Sequence, residues 1–401
     1  MPISLARSAK FTLPGSKSIT NRAMILAALH GKGTVIHHAA LCDDTKYMIE
    51  GLRKLGFKII QKKPTIKIKG TFKKTNNPIT IYTDNAGTTT RFLTALSTLS
   101  GNTVVISGNK RMEQRPIKPL TDALNQIGAD IQTKNGCPPV IIHPQMPKGG
   151  IAKIPADLSS QYISALLMIG PFLKKPLKLQ LIGKIISHPY IKMTEKMIMQ
   201  FSENPFIYDV EGDASSASYF GAYAAINPKI AIKLTNIFHP SLQGDIIFLK
   251  FLKKMGCKIT KSGNGTIIRG PKKLKSLGKI DMNACPDLVM TFAVLAMFTE
   301  GETKIHNIAN LRIKETDRIE ALKNEIAKFN VKVQSGKDYI KITGPVKLTN
   351  EKITIKTYDD HRIAMCFGIL KNKFPGLTIE NPQCVNKSYP DFFEDLKKVQ
   401  E

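Results

Sequence analysis

The chain has 401 residues, of which 42% are hydrophobic, and carries a formal net charge of +28 at pH 7. This length suggests two domains with substantial cores and excludes a largely disordered chain. No apolar run reaches the roughly 18 residues of a membrane-spanning helix, and the N-terminal segment lacks the apolar centre of a signal peptide, so the sequence predicts a soluble, cytoplasmic protein. Six cysteines without a C-x-x-C pair argue against a zinc site or a disulfide framework.

The positive charge raises the alternative of a nucleic-acid-binding protein, because phosphate backbones favour clustered Lys and Arg. The lysines, however, are spread along the chain in short pieces such as "LKKMGCKITK" and "GPKKLKSLGK", without an RNA-binding signature. A basic surface also attracts anionic metabolites. A small anionic substrate is therefore favoured over nucleic acid.

The first predicted helix begins at "GSKSITNRAMIL" (15–26), where small polar residues precede an apolar run. Lys17 and Ser18 lie at its start and Arg22 lies about one turn inside, which gives a cationic pocket for a carboxylate or a phosphate. The motif is not a nucleotide-binding P-loop, because Ser16 separates the glycine from the lysine and no glycine stands at the required upstream position. A simple helix cap is the alternative.

Along the chain, one unit recurs: an amphipathic helix, a strand, a polar turn and a second strand. Full copies lie at 51–70, 123–144, 251–270 and 325–344, and a curtailed copy lies at 196–210. In "MQFSENPFIYDVEGD" (199–213) there is no room for the turn and both strands. The short copy leaves open whether one sheet is complete.

Six helix starts interleave with these units, at 15–26, 85–96, 159–170, 213–223, 285–297 and 359–370. Each opens with small or acidic residues and continues into Ala, Leu, Ile and Met on nearly every face, which is typical of a buried helix. The sequence predicts an α/β protein of two similar halves, in which sheets surround buried helices. Several helix N-termini that point into one cleft would bind anions, although each polar residue could also merely cap its own helix.

Seven motifs in this order resemble one family. They are "LPGSKSITNRAMILAAL", "NAGTTTR", "RMEQRPI", "SSQYISALLM", "VEGDASSASYF", "NLRIKETDRI" and "YDDHRIAM". Together they are similar to the 5-enolpyruvylshikimate-3-phosphate synthases, which join phosphoenolpyruvate to shikimate 3-phosphate in the shikimate pathway of aromatic amino-acid biosynthesis. The resemblance runs from about residue 10 to "NKSYPDFF" near the C-terminus.

The family's fold is implied with it: a two-domain inside-out α/β barrel, each domain built from three βαβαββ-type units around buried parallel helices. The domains are then expected at 14–212 and at 1–13 with 213–401. The chain would cross between them near 13–15 and near 211–213, and the active site would lie in the interdomain cleft and be completed by closure.

The resemblance also implies site residues. Shikimate 3-phosphate would be bound by Lys17, Ser18, Arg22, Ser159, Ser160, Gln161, Ser187, Asp287, Asn310 and Lys314. Phosphoenolpyruvate would be bound by Lys17, Gly87, Arg115, Gln161, Arg318, Arg362 and Lys387. The catalytic groups would be Asp287, Glu315 and Lys17.

The implied reaction is an addition followed by an elimination. Asp287 would accept the proton of the 5-hydroxyl while that oxygen attacks C2 of phosphoenolpyruvate, and Glu315 or Lys17 would protonate C3. Loss of phosphate and of a C3 proton would then restore the enol double bond. The resemblance implies no metal and no organic cofactor, and a monomer without nucleic-acid or membrane partners.

Two alternatives stay open at this point. A UDP-N-acetylglucosamine enolpyruvyl transferase would share the fold, but no cysteine lies in the loop that this family uses. A non-catalytic basic RNA-binding protein is the second, although all matched acid, base and arginine positions are occupied. The chain departs from the resembled pattern at Phe92, where many relatives have proline, and at "SHPYIK" (187–192), where many have a lysine and an acid.

Overall fold

The computed structural model describes residues 7–237 and 240–400, without the side chain of residue 400. The predicted second domain also contains residues 1–6, which lie outside this part of the chain. The helices are α1 (Lys17–His30), α2 (Asp43–Leu55), α3 (Gly87–Ser97), α4 (Lys118–Gln126), α5 (Ser160–Ile169), α6 (His188–Glu203), α7 (Ala214–Ile226), α8 (Phe248–Lys254), α9 (Val289–Ala296), α10 (Arg318–Ala327), α11 (His361–Gly368) and α12 (Phe392–Gln400).

The strands follow the same chain order. They are β1 (Arg7–Phe11), β2 (Thr34–His37), β3 (Lys58–Lys62), β4 (Thr65–Lys69), β5 (Ile79–Tyr82), β6 (Val104–Ser107), β7 (Ile131–Lys134), β8 (Cys137–Ile142), β9 (Gly150–Pro155), β10 (Leu177–Ile182), β11 (Ile207–Asp209), β12 (Ile230–Leu234), β13 (Lys258–Ser262), β14 (Gly265–Arg269), β15 (Lys279–Asp281), β16 (Gly301–His306), β17 (Lys332–Ser335), β18 (Tyr339–Gly344), β19 (Ile353–Ile355) and β20 (Leu377–Ile379). Within the described ranges, no helix has the length and apolar character needed to cross a membrane.

The predicted helix–hairpin repeat is confirmed in its four full copies. Helix α2 leads into the antiparallel pair β3–β4, α4 into β7–β8, α8 into β13–β14 and α10 into β17–β18. Strand β4 shows why such segments form strands. Its sequence TIKIK alternates, so Ile66 and Ile68 are buried while Lys67 and Lys69 are exposed.

The six predicted buried helices are also confirmed, as α1, α3, α5, α7, α9 and α11. All eight residues of α9 are buried, and in α7 only Ser215 is not. Such helices need a surrounding layer on every side, because an apolar residue on any exposed face would lose its burial energy. The α/β architecture is as predicted.

Contacts divide the chain into two units, Gly15–Val210 and a second one formed by Met1–Pro14 with Glu211–Glu401. Gly15 stands where the first unit begins. A Cβ atom there would lie 1.8 Å from the carbonyl oxygen of His38, so only glycine fits this close approach of two backbones.

In the unit Gly15–Val210, the sheets have the strand orders β11-β2-β4-β3, β5-β6-β8-β7 and β10-β9. The second sheet shows the complete βαβαββ pattern: β5 and β6 pair in parallel, and the hairpin β7–β8 adds to β6 in antiparallel orientation. The third sheet lacks this hairpin. After α6 the chain forms only β11, which pairs with β2 of the first sheet.

The third sheet of this unit is therefore incomplete, which answers the question that the short copy at 196–210 left open. The loss leaves apolar side chains in water: of the twelve exposed large hydrophobic residues in the described chain, eight lie within 151–207. On β10 itself, Leu181 is 37% exposed and Ile182 is 53% exposed. The equivalent strand β6 is covered by its hairpin, and its Val104 and Ile106 are fully buried.

The other unit repeats the plan with the strand orders β1-β12-β14-β13, β15-β16-β18-β17 and β19-β20. Its core is one continuous apolar cluster that runs from Phe11 on β1 to Val399 on α12. Strand β1 contributes to this sheet by pairing in parallel with β12, with Phe11 opposite Leu234. Predicted site residues lie at the starts of α1, α3 and α5 in the unit Gly15–Val210, and before α9 and at the starts of α10 and α11 in the other unit.

Candidate active site

Helix α1 holds the first predicted group at its start. Ser16 precedes the helix with an extended backbone, but its side chain makes no capping hydrogen bond. Lys17 is the first helical residue, and its Nζ donates to Oδ2 of Asp44 at 2.7 Å. Thr89 on α3 donates to the carbonyl oxygen of Asp44 at 2.8 Å. Asp44 therefore ties the starts of α1, α2 and α3 together around the ammonium group.

Arg22 lies one turn further along α1 and is fully buried. Its Nε donates to Oγ1 of Thr194 at 2.7 Å, its Nη1 to the Ser18 carbonyl at 2.9 Å and its Nη2 to Oγ of Ser164 at 3.1 Å. Burial lowers the pKa of Arg22 to about 10, although electrostatic interactions with Tyr190 and Tyr208 act in the opposite direction. Within residues 7–237 and 240–400, no carboxylate pairs with this guanidinium.

The predicted phosphate-binding serines lie at the starts of α5 and α6. Ser159 caps α5 by accepting from the Gln161 backbone at 3.3 Å, which is the simple capping role that the sequence left open. Ser160 is the first residue of α5 and is buried. Ser187 precedes α6 with φ 51° and is buried. Because Arg22 donates to Ser164 on α5 and to Thr194 on α6, its guanidinium lies between the first two turns of both helices.

The start of α3 is joined to the same group. Gln161 Nε2 donates to Oγ1 of Thr88 at 3.1 Å. Arg115 Nη1 donates to the carbonyl oxygen of Asn85 at 3.0 Å and to its Oδ1 at 2.9 Å. A Cβ atom on Gly87 would lie 2.6 Å from Nη2 of Arg115 and 2.5 Å from Nη1 of Arg91. A side chain at position 87 would thus displace both arginines.

Arg91 and Tyr162 support this arrangement from behind. Arg91 donates to the Gly87 carbonyl at 2.9 Å and to the Pro116 carbonyl at 3.0 Å. Tyr162 donates to the same Pro116 carbonyl at 2.6 Å, and its ring lies 5.4 Å from the Arg91 guanidinium. The segment that carries Arg115 is therefore held by two side chains from two helices.

In the other unit, Asp287 lies between two arginines. Its Oδ1 accepts from Arg318 Nη1 at 3.1 Å and its Oδ2 accepts from Arg362 Nη2 at 2.8 Å. Burial raises the pKa of Asp287, but the charges of Arg362, Lys314 and Arg318 outweigh it and hold this pKa well below its usual range. Asp287 is therefore an ionised carboxylate, and each of its two oxygens accepts a hydrogen bond from an arginine.

Arg318 is the centre of an acidic cluster. Its Nε donates to Oδ2 of Asp360 at 2.7 Å, and its Nη2 donates to Oδ1 of Asp360 at 3.3 Å and to Oε2 of Glu315 at 2.9 Å. Burial lowers the pKa of Arg318, but the three carboxylates Asp360, Glu315 and Asp287 raise it far more. Asp360 also caps α11 by accepting from the backbone of Arg362 at 2.9 Å, so it positions both arginines.

Three further predicted residues lie in the same unit. Lys314 follows the 3₁₀ helix Ala309–Ile313, which contains Asn310, and its charge acts on Asp287. Lys387 ends the 3₁₀ helix Pro382–Lys387, which packs against α11. The structure thus places Asn310 and Lys387 on two 3₁₀ segments of this unit.

Sequence reasoning missed four residues of these groups: Asp44, Asn85, Asp245 and Asp360. Burial and the charge of Asp287 raise the pKa of Asp245 to about 7, while Ser215 donates to its carboxylate at 2.5 Å and acts in the opposite direction. Asp360 and Asn85 stand inside motifs that the sequence already singled out, "YDDHRIAM" and "NAGTTTR". Asp44 and Asp245 stand outside these motifs, and an acidic residue near a helix start is ordinarily interpreted as a helix cap.

The geometry defines two kinds of chemistry. The unit Gly15–Val210 gathers Lys17, Arg22, Arg91 and Arg115 with several helix N-termini, which suits ligands with more than one negative charge. The other unit holds a carboxylate between two arginines, which suits proton transfer beside an anionic ligand. In the described ranges no set of three or more His, Cys, Asp or Glu side chains is placed to hold a metal ion.

Comparison with known proteins identifies relatives for the whole chain. The family model "EPSP synthase (3-phosphoshikimate 1-carboxyvinyltransferase)" matches residues 6–205 and 202–396. A 3-phosphoshikimate 1-carboxyvinyltransferase of Actinobacillus pleuropneumoniae serotype 3 is 40% identical over 421 residues, covering 98% of this chain and 96% of that protein. One of Buchnera aphidicola subsp. Baizongia pistaciae is 40% identical over 423 residues, covering 99% and 97%.

Solved structures give the same picture. The structure of an EPSP synthase from Acinetobacter baumannii is similar with a TM-score of 0.78 and 25% identity, covering 100% of this chain and 97% of that one. A second structure of an EPSP synthase from Acinetobacter baumannii has a TM-score of 0.76 at 24% identity, which supports the fold. The alignment with the Actinobacillus relative spans 421 positions, more than the 401 residues of this chain, so that relative has residues that this chain lacks.

Proposed function

The chain belongs to the EPSP synthase family, the 3-phosphoshikimate 1-carboxyvinyltransferases, and from this premise we propose how its residues divide the reaction between them. It is a transferase of the shikimate pathway, which makes the precursor of the aromatic amino acids. The enolpyruvyl group passes from phosphoenolpyruvate to the 5-hydroxyl of shikimate 3-phosphate, and phosphate leaves. The arrangement of Asp287 between Arg318 and Arg362 carries the proposal, because it couples a potential base to two anion-binding groups.

Shikimate 3-phosphate is assigned to the helix starts around Arg22. The hydroxyls of Ser159, Ser160 and Ser187 and the backbone N–H groups at the starts of α5 and α6 suit the 3-phosphate. Arg22 and Ser18 suit the carboxylate end of a small acid. The absence of any carboxylate partner for Arg22 among the described residues supports this, since a buried guanidinium gains most from an anionic ligand.

Phosphoenolpyruvate is assigned to Lys17, Gly87, Arg115 and Gln161 in one unit and to Arg318, Arg362 and Lys387 in the other. Gly87 carries no side chain that would crowd the guanidinium of Arg115. Lys17 is proposed to serve both substrates, because it is the first residue of α1 and directly precedes Ser18. Five or more cationic groups offset the repulsion between two substrates that each carry a phosphate and a carboxylate.

Asp287 is proposed as the base toward the 5-hydroxyl. Its pKa is held low by Arg362, Lys314 and Arg318, so in this pairing it would be a weak base. A phosphoenolpyruvate carboxylate that takes over the Arg318 and Arg362 donors would remove part of this stabilisation and raise the pKa of Asp287. Binding of phosphoenolpyruvate would thus make Asp287 a stronger base toward the 5-hydroxyl of shikimate 3-phosphate.

The bond changes follow from these roles. The 5-oxygen forms its bond to C2 while its proton passes to Asp287, and C3 receives a proton from Glu315 or Lys17, which gives a tetrahedral intermediate. The C2–O bond to phosphate then breaks with its electron pair on the phosphate, and C3 loses a proton to restore the double bond. Glu315 is held by Arg318 at 2.9 Å, and the same guanidinium donates to Asp287, so the proposed acid and the proposed base share one partner.

Groups from both units must act on the same pair of substrates in this scheme, so we propose that the site forms between the two domains and is completed by induced fit. We further propose a monomer in the cytoplasm that needs no metal or organic cofactor and no nucleic-acid partner. The six cysteines, all without disulfides, are compatible with a reducing compartment.

Phosphate release by purified protein tests the function. We expect release with phosphoenolpyruvate plus shikimate 3-phosphate, and none when UDP-N-acetylglucosamine is the acceptor. Activity with the sugar nucleotide alone would replace this proposal with the other enolpyruvyl transferase. Tight, salt-sensitive RNA binding without either activity would favour the nucleic-acid alternative.

A further inference from the structure

Phe92 occupies a place that the proposed reaction does not explain. It follows Arg91 on α3 and is fully buried. Its ring centroid lies 5.2 Å from the Cζ atom of Arg22, and the ring of Tyr190 lies 6.0 Å from the same atom. Two aromatic side chains, one from α3 and one from α6, thus lie within reach of one buried guanidinium.

The partners of Arg22 are all electrically neutral. They are the hydroxyls of Thr194 and Ser164 and the carbonyls of Ser18 and Tyr190. A buried cation without a carboxylate is costly, and burial accordingly lowers its pKa. The negative face of an aromatic ring is a neutral group that still attracts a cation, so the rings replace part of the lost hydration.

The neutral groups around Arg22, namely its hydroxyl and carbonyl partners and the rings of Phe92 and Tyr190, are called the neutral cage here. This cage differs from an ion pair in what it leaves for a ligand. A carboxylate partner would have to be displaced by an anionic ligand, whereas aromatic rings, hydroxyls and carbonyls leave the full positive charge for the ligand. A guanidinium has five N–H groups, and the hydrogen bonds above use one on Nε, one on Nη1 and two on Nη2. One N–H of Nη1 therefore remains for a ligand oxygen.

We propose that Phe92 is a positioning residue for shikimate 3-phosphate: its ring holds the Arg22 guanidinium in the orientation that binds the substrate while leaving its charge uncompensated. This inference rests on the proposed role of Arg22 in binding that substrate. This role also explains why position 92 is aromatic. A proline there has no aromatic ring and would leave the Arg22 guanidinium without this contact.

A purely structural role for Phe92 makes a different prediction. If the ring only fills space between α3 and α1, any replacement of equal shape would keep substrate affinity. Ring fluorination separates the two roles, because successive fluorines weaken the negative ring face while the side chain stays aromatic and apolar. The series phenylalanine, 4-fluorophenylalanine and 3,4,5-trifluorophenylalanine at position 92 therefore varies the electrostatics with little change in shape.

We expect the Kd for shikimate 3-phosphate, measured by calorimetry, to rise stepwise along this series and to reach roughly tenfold for the trifluoro residue and for Phe92→Leu. The kcat at saturating substrates should change by less than about twofold, because Phe92 touches neither proposed reacting group. The matched control is 3,4,5-trifluorophenylalanine at position 329. Phe329 is buried, stacks on Phe367 and meets Phe374 edge to face, and no cation of the described chain lies over its ring, so substrate affinity should not change there.

Two outcomes would overturn the inference. One is a Kd that stays constant along the fluorine series, and the other is an equal rise in the position-329 control. Arg22→Ala separates this from failure of the proposed function. If Arg22→Ala weakens shikimate 3-phosphate binding and the fluorine series does not, only the cage is wrong. If Arg22→Ala leaves binding unchanged, the proposed role of Arg22 fails and the inference fails with it.

Discussion

Replacing Asp287 with alanine tests the proposed base directly. The substitution removes the carboxylate that accepts from Arg318 at 3.1 Å and from Arg362 at 2.8 Å, and with it the acceptor for the 5-hydroxyl proton. A positioned general base contributes roughly 10²–10⁴-fold to the rate. We therefore expect kcat to fall by a factor of about 10² or more.

Substrate binding should respond much less than kcat. The serines at the starts of α5 and α6, and Arg22 with its neutral partners, all lie in the unit Gly15–Val210 and keep their geometry in this variant. We expect the Kd for shikimate 3-phosphate to stay within about tenfold of the wild-type value. This separation of binding from turnover is the signature of a base.

Stability should also fall only moderately. Arg318 keeps both hydrogen bonds to Asp360 and one to Glu315, so its buried guanidinium remains paired after Asp287 is removed. The two lost hydrogen bonds, from Arg318 and Arg362, cost about 2 kcal/mol of unfolding free energy each. Thermal or urea denaturation would measure this cost independently of the activity.

Single-turnover phosphate release and calorimetry of shikimate 3-phosphate binding are the assays. Glu300→Ala is the matched control, because Glu300 is an exposed carboxylate of the same unit that pairs only with the exposed Lys273 in the described chain. Full turnover in Asp287→Ala would remove Asp287 from the mechanism. A variant that unfolds or no longer binds shikimate 3-phosphate would show that Asp287 acts on structure or binding instead.

Three further predictions concern other parts of the molecule. Gly87→Ala should raise the KM for phosphoenolpyruvate by roughly tenfold, since a methyl group would lie 2.6 Å from Arg115 Nη2, while the Kd for shikimate 3-phosphate changes less than twofold; equal changes in both would contradict this. Burial and the charge of Asp287 raise the pKa of Asp245 to about 7, so this carboxyl keeps its proton in the folded protein at pH values where the unfolded chain has released it. The contribution of Asp245 to stability is therefore complete below about pH 4 and is lost as the pH rises through about 7. Asp245→Asn should therefore melt with a smaller loss between pH 5 and pH 8 than the wild type, and parallel melting curves would refute this assignment. Ile182→Lys on β10 should change the unfolding free energy by no more than about 0.5 kcal/mol, because Ile182 is half exposed. Ile106→Lys on the covered strand β6 should cost several kcal/mol, because Ile106 is fully buried. A similar cost for both variants would show that β10 is covered in solution.

The incomplete third sheet shows which structural features the local sequence pattern can predict. The hydrophobic period of 196–210 leaves too few residues for a turn and two strands, and the structure has only β11 there. That β11 pairs with β2 rather than with β10 could not be predicted, because a short strand can add to any sheet edge that it reaches. The length of the segment decided which strands exist, and the packing decided where the remaining one went.

The motif residues show the same division at the site. Lys17, Arg22, Ser160, Asp287 and Arg318 could be proposed because helix starts, glycine turns and the family's motifs mark them in the sequence. Their partners could not. Asp44 and Asp245 look like ordinary acids near helix starts. Phe92 departs from the resembled pattern, but nothing in the sequence indicates its contact with Arg22.

The sequence by itself determined the repeating elements, the buried character of six helices and the membership of the family, because these depend on periodicity and on motifs that are local in the chain. Only the tertiary structure decided which charges meet: Asp44 with Lys17, Asp360 with Arg318, and no carboxylate with Arg22 in the described residues. The reason is physical. The energy of a buried charge depends on every group within a few ångströms, and those groups come from helices that lie far apart in the sequence.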